Sequence, residues 1–172
     1  MGPSDSAKSQ LLLLHNETRY NAIYFSIYSL THSLNPVLPV MRENGFGRII
    51  NIASTHGLVA SCNKAAYVAS KHGLIGLTKV TALETATEPI TCNAICPGFV
   101  YTQLVENQIV KKANEEGISV AEAKLNLVSE KHPSKEYVDM EDLSELVYFL
   151  TRDCAKQIRG SAYVIDGGWV AI

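Results

Sequence analysis

Residues 48–98 decide the fold: RIINIASTHGLVASCNKAAYVASKHGLIGLTKVTALETATEPITCNAICPG. The runs RIINIAS (48–54) and ITCNAIC (90–96) are short, apolar and rich in β-branched side chains, which is typical of buried strands. Residues 66–87, between them, carry apolar side chains at helical spacing, and Pro89 breaks that helix. A strand, a helix and a second strand in this order predict a parallel pair joined by a crossover helix.

The same alternation continues towards the C-terminus. Residues 103–135 are charged and rich in alanine, and they predict a small helical flap with Gly117 between its helices. EDLSELVYFLTRDCA (141–155) predicts an amphipathic helix with an acidic first turn, which the helix dipole favours. SAYVIDGG (161–168) predicts a final strand. The pattern indicates an α/β protein with a Rossmann-like, doubly wound parallel sheet covered on both faces.

The N-terminal part is less regular. Residues 1–18 are small and polar apart from LLLL (11–14), and we expect them to be a disordered segment outside the domain of residues 19–172. That apolar run is too short for a signal peptide or a membrane span. Residues 19–43 predict a helix that Pro36 and Pro39 should kink or end early.

Composition narrows the possible partners. The 172 residues fit one domain, with 47% apolar and 19% charged residues. The net charge of −2 gives no reason to expect a nucleic-acid or membrane partner. The four cysteines have no zinc-ligand spacing, and no metal site is expected. They fit free thiols in a reducing compartment, so we expect a cytoplasmic protein whose Cys92 and Cys96 pack in the core.

Three side chains at predicted strand and helix ends suggest acid–base chemistry. In an open α/β sheet a ligand lies beyond the carboxyl ends of the strands, here the loops 54–65 and 97–103. Tyr67 and Lys71 are four residues apart on one helix face, where the ammonium lowers the pKa of the phenol. Ser54 ends the first strand, and its hydroxyl could form a hydrogen bond with the substrate oxygen that Tyr67 protonates. Taken singly, each feature also occurs by chance.

Together, four segments resemble the short-chain dehydrogenase/reductase family. The matching segments are GRIINIAS (47–54), YVASK (67–71), NAICPGFVYT (93–102) and YVIDGG (163–168). The resemblance implies that Tyr67 is the general acid/base, that Lys71 lowers the pKa of Tyr67 and binds the nicotinamide ribose, and that Ser54 holds the substrate oxygen. It implies a nicotinamide site formed by Pro97, Gly98, Val100 and Thr102, together with Tyr67 and Lys71.

Within that family, residues 45–86 are similar to the 3-hydroxybutyrate dehydrogenases. That similarity implies four residues that bind a small hydroxy acid: His56, Lys64, Gln108 and Trp169. A carboxylate needs a cation, which Lys64 supplies, and His56 can donate a second hydrogen bond. Without the resemblance, Lys64 and His56 would be interpreted as solvated loop residues.

The chain also departs from the family pattern. The glycine-rich TGxxxGxG turn that binds the pyrophosphate is absent, together with the rest of the family's first third. The residues that select NAD or NADP are absent too, so NAD is expected from the resemblance alone and NADP stays open. Ser26 stands where the family has an asparagine. The family also implies a dimer or tetramer.

Two main hypotheses follow. The chain is part of an NAD-dependent enzyme that interconverts 3-hydroxybutyrate and acetoacetate, or it is a non-catalytic truncated paralogue that associates with full-length subunits through its dimer helices. A dehydrogenase for another small polar carbonyl compound is a third possibility.

Overall fold

The computed structural model describes residues 36–171. The predicted tail 1–18, most of the predicted helix 19–43 and Ser26 lie outside the described residues. Residues 36–43 are helical (α1), so Pro39 does not end this stretch, whereas the predicted kink or end at Pro36 involves residues outside the described range. A proline lacks only its own N–H, so the residues that follow it can still donate helical hydrogen bonds. The Asn44 N–H donates to the Val40 carbonyl at 3.0 Å. The helix gives way to a turn at Gly45, whose φ of +63° is left-handed.

In residues 36–171 the sheet has three parallel strands, as predicted. They are β1 (Gly47–Ile52), β2 (Ile90–Pro97) and β3 (Ala162–Ile165), in the order β1-β2-β3. Gly47 lies opposite Ile90 in the first pair, and Ala94 lies opposite Ala162 in the second. The middle strand therefore shares its hydrogen bonds with both neighbours.

Helices connect the strands, close to the predicted positions. They are α2 (Ala65–Glu84), which joins β1 to β2, then α3 (Gln103–Glu116), α4 (Val120–Ser129) and α5 (Met140–Thr151), which lie between β2 and β3. Gly117 separates α3 from α4 with a φ of 67°, as the sequence indicated. The hydroxyls of Thr102 and Ser119 cap the first turns of these two helices.

The core lies around β2, which is buried at every position. Cys92 and Cys96 are both fully buried, which confirms their predicted packing role. Burial raises the pKa of the Cys92 thiol to about 11. All four cysteines are free thiols, and Cys62 and Cys154 are exposed.

Helix α2 packs on the sheet through small and polar side chains as well as through Ile75. Its buried positions are Ser70, Ile75, Thr78, Thr81 and Ala82. Val80 and Leu83, which the apolar pattern emphasises, are 49% and 77% exposed. On the buried side, the Asn51 amide donates a 2.8 Å hydrogen bond to the hydroxyl of Thr78. Small residues let the helix approach the strands closely enough to make that bond.

The three strands end at one edge of the sheet. The segments that follow them begin at Ala53, Gly98 and Asp166, and they include the loops in which we expected a ligand. The rest of the fold serves to hold these three segments together.

Candidate active site

Ser54 lies directly after β1 and is 7% exposed. Its hydroxyl oxygen accepts a 3.1 Å hydrogen bond from the backbone N–H of His56, and it thereby caps a short 3-10 helix, Thr55–Gly57. A hydroxyl that accepts in this way still has its proton to donate. The turn thus fixes the position of the Ser54 oxygen and leaves the hydroxyl proton for a ligand.

This turn packs tightly against α2 at Gly57. A Cβ added to Gly57 would lie 2.8 Å from the carbonyl oxygen of Lys71 and 2.7 Å from Cδ1 of Ile75. Only glycine fits this space, so Gly57 sets the distance between the Ser54 turn and the helix that carries Tyr67. Sequence reasoning missed this constraint, because the pattern around Gly57 gives no sign of a close approach.

Tyr67 and Lys71 project from the N-terminal half of α2. The Lys71 ammonium nitrogen lies 5.7 Å from the centroid of the Tyr67 ring and donates a 3.0 Å hydrogen bond to the carbonyl of Ile52, at the end of β1. Burial lowers the pKa of Lys71, and the nearby Cys96 opposes that shift. The Tyr67 side chain is 45% exposed, so its ring remains accessible to a ligand.

His56 stands between Tyr67 and Trp169. Its ring is 5.7 Å from the Tyr67 ring and 5.0 Å from the Trp169 ring, both edge-to-face, and its Nε2 lies 2.9 Å from the Ser61 hydroxyl. Burial lowers the pKa of His56, and the charges of two lysines, Lys64 and Lys131, lower it further. A neutral imidazole at this position can donate one hydrogen bond to a substrate.

Two lysines from different parts of the chain therefore lie near His56. Lys64 is exposed at the N-terminus of α2. Lys131 is exposed after α4, and its ammonium lies 5.6 Å from the Trp169 ring centroid. The sequence identified Lys64 and missed Lys131, because a lysine in a charged loop gives no signal of its own.

Gln108 is not brought into contact with this group by any hydrogen bond among the described residues. It lies on the exposed side of α3, whose buried positions are Val105, Ile109 and Ala113. Its assignment to the substrate therefore stays a prediction.

The predicted nicotinamide segment, Pro97 to Thr102, crosses the same edge of the sheet. The Gly98 N–H donates to the Ile165 carbonyl at 2.9 Å, and the neighbours of Val100 pair with Val138. Within the described residues the N–H and the carbonyl of Val100 form no hydrogen bond. Both groups are thus available to a flat polar ligand. The Thr102 oxygen accepts from the Val105 N–H at 3.4 Å and retains its own proton.

An aromatic group closes the site from the C-terminal side. Trp169 opens a 3-10 helix, Trp169–Ala171, and its ring stacks on Phe99 with centroids 5.8 Å apart. The buried Asp166 carboxylate accepts from the N–H groups of Gly168 and Val170 at 2.9 and 2.8 Å. Asp166 thus fixes the turn that presents Trp169, next to His56 and Phe99.

A cavity of about 530 Å³ lies elsewhere, between α4 and residues 135–139. None of the predicted site residues lines it. We place the candidate site at the strand ends instead, because a hydroxyl, a phenol, an ammonium and an imidazole converge there.

Comparison with known proteins identifies the family of this chain. The family model described as enoyl-(acyl carrier protein) reductase matches residues 1–170. A D-beta-hydroxybutyrate dehydrogenase from Cupriavidus necator is 52% identical over 154 residues, which are 89% of this chain and 60% of that protein. The chain belongs to the short-chain dehydrogenase/reductase family. The predicted family and the predicted fold class are therefore confirmed.

Two further relatives support this membership. A D-beta-hydroxybutyrate dehydrogenase from Rhizobium meliloti is 45% identical, over 87% of this chain and 58% of its own length. A mutant 4-hydroxyisoleucine dehydrogenase, solved in complex with NADH and succinate, superposes with a TM-score of 0.78 at 32% identity, over 94% of this chain and 63% of that one. The chain thus spans about three-fifths of the length of these short-chain dehydrogenases.

The described residues contain neither a metal-ligand group nor a membrane-spanning helix. No group of three or more His, Cys, Asp or Glu side chains in residues 36–171 could hold a metal ion. In the same range no helix combines the length and the apolar character that crossing a membrane requires.

Proposed function

We propose that the protein to which this chain belongs is an NAD-dependent dehydrogenase that interconverts 3-hydroxybutyrate and acetoacetate. The observation that carries the proposal is the meeting of Ser54, Tyr67, Lys71 and His56 at the carboxyl end of β1. Two relatives named D-beta-hydroxybutyrate dehydrogenase support the choice of substrate.

The described residues fit a nicotinamide cofactor. The free N–H and carbonyl of Val100 would hold the carboxamide, and the Thr102 hydroxyl would donate to it, while Pro97 and Gly98 would line the ring. Lys71 would reach the ribose. When bound, the nicotinamide exchanges a hydride with the carbon that carries the substrate oxygen.

The protein's own part is the movement of one proton. In the oxidative direction the Tyr67 phenolate accepts the proton of the substrate hydroxyl, and in the reverse direction the phenol returns it to the carbonyl oxygen. The Ser54 hydroxyl donates a hydrogen bond to that oxygen. The Lys71 ammonium, half-buried and 5.7 Å from the ring centroid, favours the phenolate more strongly than an exposed ammonium would.

The substrate carboxylate would lie on the side of Lys64 and His56. Lys64 supplies the charge, the neutral His56 donates a hydrogen bond, and Trp169 covers the apolar carbons. Gln108 would complete the carboxylate site from α3. A dimer or tetramer and NAD in place of NADP belong to the same proposal and rest on the family resemblance. Location in the cytoplasm also belongs to it and is supported by the four free cysteines.

The test has two stages. First, the purified chain is titrated with NADH while energy transfer from Trp169, the single tryptophan of the sequence, is followed. Saturable binding supports a nicotinamide site in this chain. Absence of binding removes autonomous catalysis, and mixing with a full-length relative then tests the alternative of a non-catalytic partner subunit.

Second, oxidation of 3-hydroxybutyrate is measured for Tyr67→Phe and Lys64→Met in the catalytically complete form. Tyr67→Phe should lower kcat by about 10²- to 10⁴-fold, because it removes the group that accepts the substrate proton. Lys64→Met should raise KM for the acid and leave an uncharged secondary alcohol unaffected. Equal effects on both substrates would contradict the carboxylate role of Lys64.

A further inference from the structure

His132 is the most deeply buried histidine of the described residues, with 1% of its surface exposed. Its Nε2 accepts a 2.8 Å hydrogen bond from the backbone N–H of Phe99, and its Nδ1 lies 2.7 Å from the carbonyl oxygen of Glu136. A backbone N–H can only donate and a carbonyl can only accept. The ring is therefore the neutral tautomer that carries its proton on Nδ1.

Two glycines leave room for this ring. A Cβ added to Gly98 would collide with Nε2 of His132, and a Cβ added to Gly167 would lie 2.9 Å from Nδ1. Gly98 follows β2, whereas Gly167 follows β3 in the turn that presents Trp169. The His132 ring thus fills the space between two of the three segments at the strand ends.

The same ring reaches both aromatic members of the site. Its centroid lies 5.6 Å from that of Phe99 and 6.2 Å from that of Trp169. Phe99 immediately precedes Val100, whose free N–H and carbonyl would hold the nicotinamide carboxamide. Moving Phe99 would therefore move the Val100 groups, and moving Trp169 would open the cover over His56.

We propose that His132 is a positioning residue for the reaction: its two hydrogen bonds join the nicotinamide segment at Phe99 to the end of the helical flap at Glu136, and its ring packs against the Trp169 turn. This inference rests on the proposed function, since the nicotinamide segment is defined by it. His132 touches no substrate in this arrangement and acts through Phe99 and Trp169.

The test distinguishes the effect of the two His132 hydrogen bonds from the effect of the volume that its side chain fills. His132→Gln keeps one acceptor and one donor on a flexible chain, whereas His132→Leu keeps bulk and loses both bonds. His72→Leu, at an exposed histidine on α2, is the matched control. Circular dichroism melting establishes which variants fold. The accessibility of Trp169 is then measured by acrylamide quenching, which reports on one site because the sequence has a single tryptophan.

We expect His132→Leu to raise the acrylamide quenching constant of Trp169 and to weaken NADH binding about tenfold, the effect of leaving a buried donor unpaired. His132→Gln and His72→Leu should resemble the wild type in both measurements. In the complete enzyme, KM for the cofactor should rise more than kcat falls, because the proton-transfer groups are untouched.

Several results would overturn the proposal. A folded His132→Leu protein with unchanged Trp169 accessibility would do so, and so would a His132→Gln protein as impaired as His132→Leu. If His132→Leu does not fold, His132→Asn replaces it, since its shorter amide reaches one partner at most. A wild-type chain that binds no NADH would remove autonomous catalysis by this chain alone, and the quenching of Trp169 would still test the role of His132.

Discussion

Replacement of Gly57 by alanine should damage catalysis without touching any proposed reacting group. The added Cβ would lie 2.8 Å from the Lys71 carbonyl oxygen and 2.7 Å from Cδ1 of Ile75, where ordinary contact begins at 3.4 Å. The Lys71 carbonyl belongs to α2 and cannot move freely. The turn must therefore shift by roughly half an ångström, at a cost of about 1–3 kcal/mol of stability.

That shift would be passed to Ser54, because its hydroxyl is tied to the same turn through the His56 N–H. Misplacement by about 1 Å can cost 10²-fold in rate, so we expect kcat/KM for 3-hydroxybutyrate to fall by about one order of magnitude. Urea denaturation measures the loss of stability, and NAD reduction with 3-hydroxybutyrate measures the rate.

Gly76 provides the matched control. It lies on the same helix, and an added Cβ would meet nothing within 4 Å. Gly76→Ala should stabilise the protein by up to about 1 kcal/mol through helix propensity and leave the rate unchanged. Full stability and full activity in Gly57→Ala, or the same losses in Gly76→Ala, would contradict the role of Gly57 in positioning the Ser54 turn.

Three further predictions concern other parts of the molecule. Thr78→Val removes the hydroxyl that accepts from the buried Asn51 amide and leaves only its weak contact with Cys92 Sγ; it should cost about 1–3 kcal/mol in urea denaturation, whereas Thr78→Ser should cost less. Burial and two lysines lower the pKa of His56 below 6.5, so the unfolded state takes up a proton at this histidine at a higher pH than the folded state does. The free energy of unfolding should therefore fall as the pH drops below about 6.5. His56→Gln should reduce this dependence of stability on pH. Lys131→Met should raise KM for 3-hydroxybutyrate and Lys135→Met should not; equal values would contradict a role for Lys131 in attracting the acid.

The strands and helices were predictable where their periodicity was strong. ITCNAIC contains the polar residues Thr91 and Asn93, yet β2 is buried at all eight positions. The Asn93 side chain is accommodated because it donates to the Ile158 carbonyl and accepts from the Ser161 N–H. The end of α2 was predicted three residues late. Its last turn is closed by the Thr85 hydroxyl, which donates 2.8 Å to the Thr81 carbonyl, and a local bond of that kind competes with helix continuation without changing the apolar pattern.

The buried face of α2 was less predictable, for a tertiary reason. Val80 and Leu83 suggest an apolar stripe, yet the helix turns Thr78 and Thr81 inward. The Asn51–Thr78 bond joins residues 27 positions apart, and it defines which side of the helix meets β1. Hydrophobic spacing within one element contains no information about a polar partner on another.

The candidate site also contains residues that local sequence spacing predicts and residues that it does not. Tyr67 and Lys71 could be paired from the sequence because residues four positions apart on a helix lie on the same face. His132 lies 33 residues from Phe99, in a charged segment where a histidine is expected to be solvated, and nothing local marks it as buried.

Gly98 is required for a different reason in the structure than the sequence suggests. The family resemblance places Gly98 in the nicotinamide site, where a missing side chain permits the close approach of a flat ligand. In the structure the volume that a Cβ would need is already occupied by the His132 ring, so the glycine is required before any cofactor arrives. A substitution at Gly98 would then displace His132 first and the nicotinamide segment second. Loss of cofactor affinity in such a variant would accordingly demonstrate a rearranged protein, and it would give no measure of direct contact between Gly98 and the cofactor.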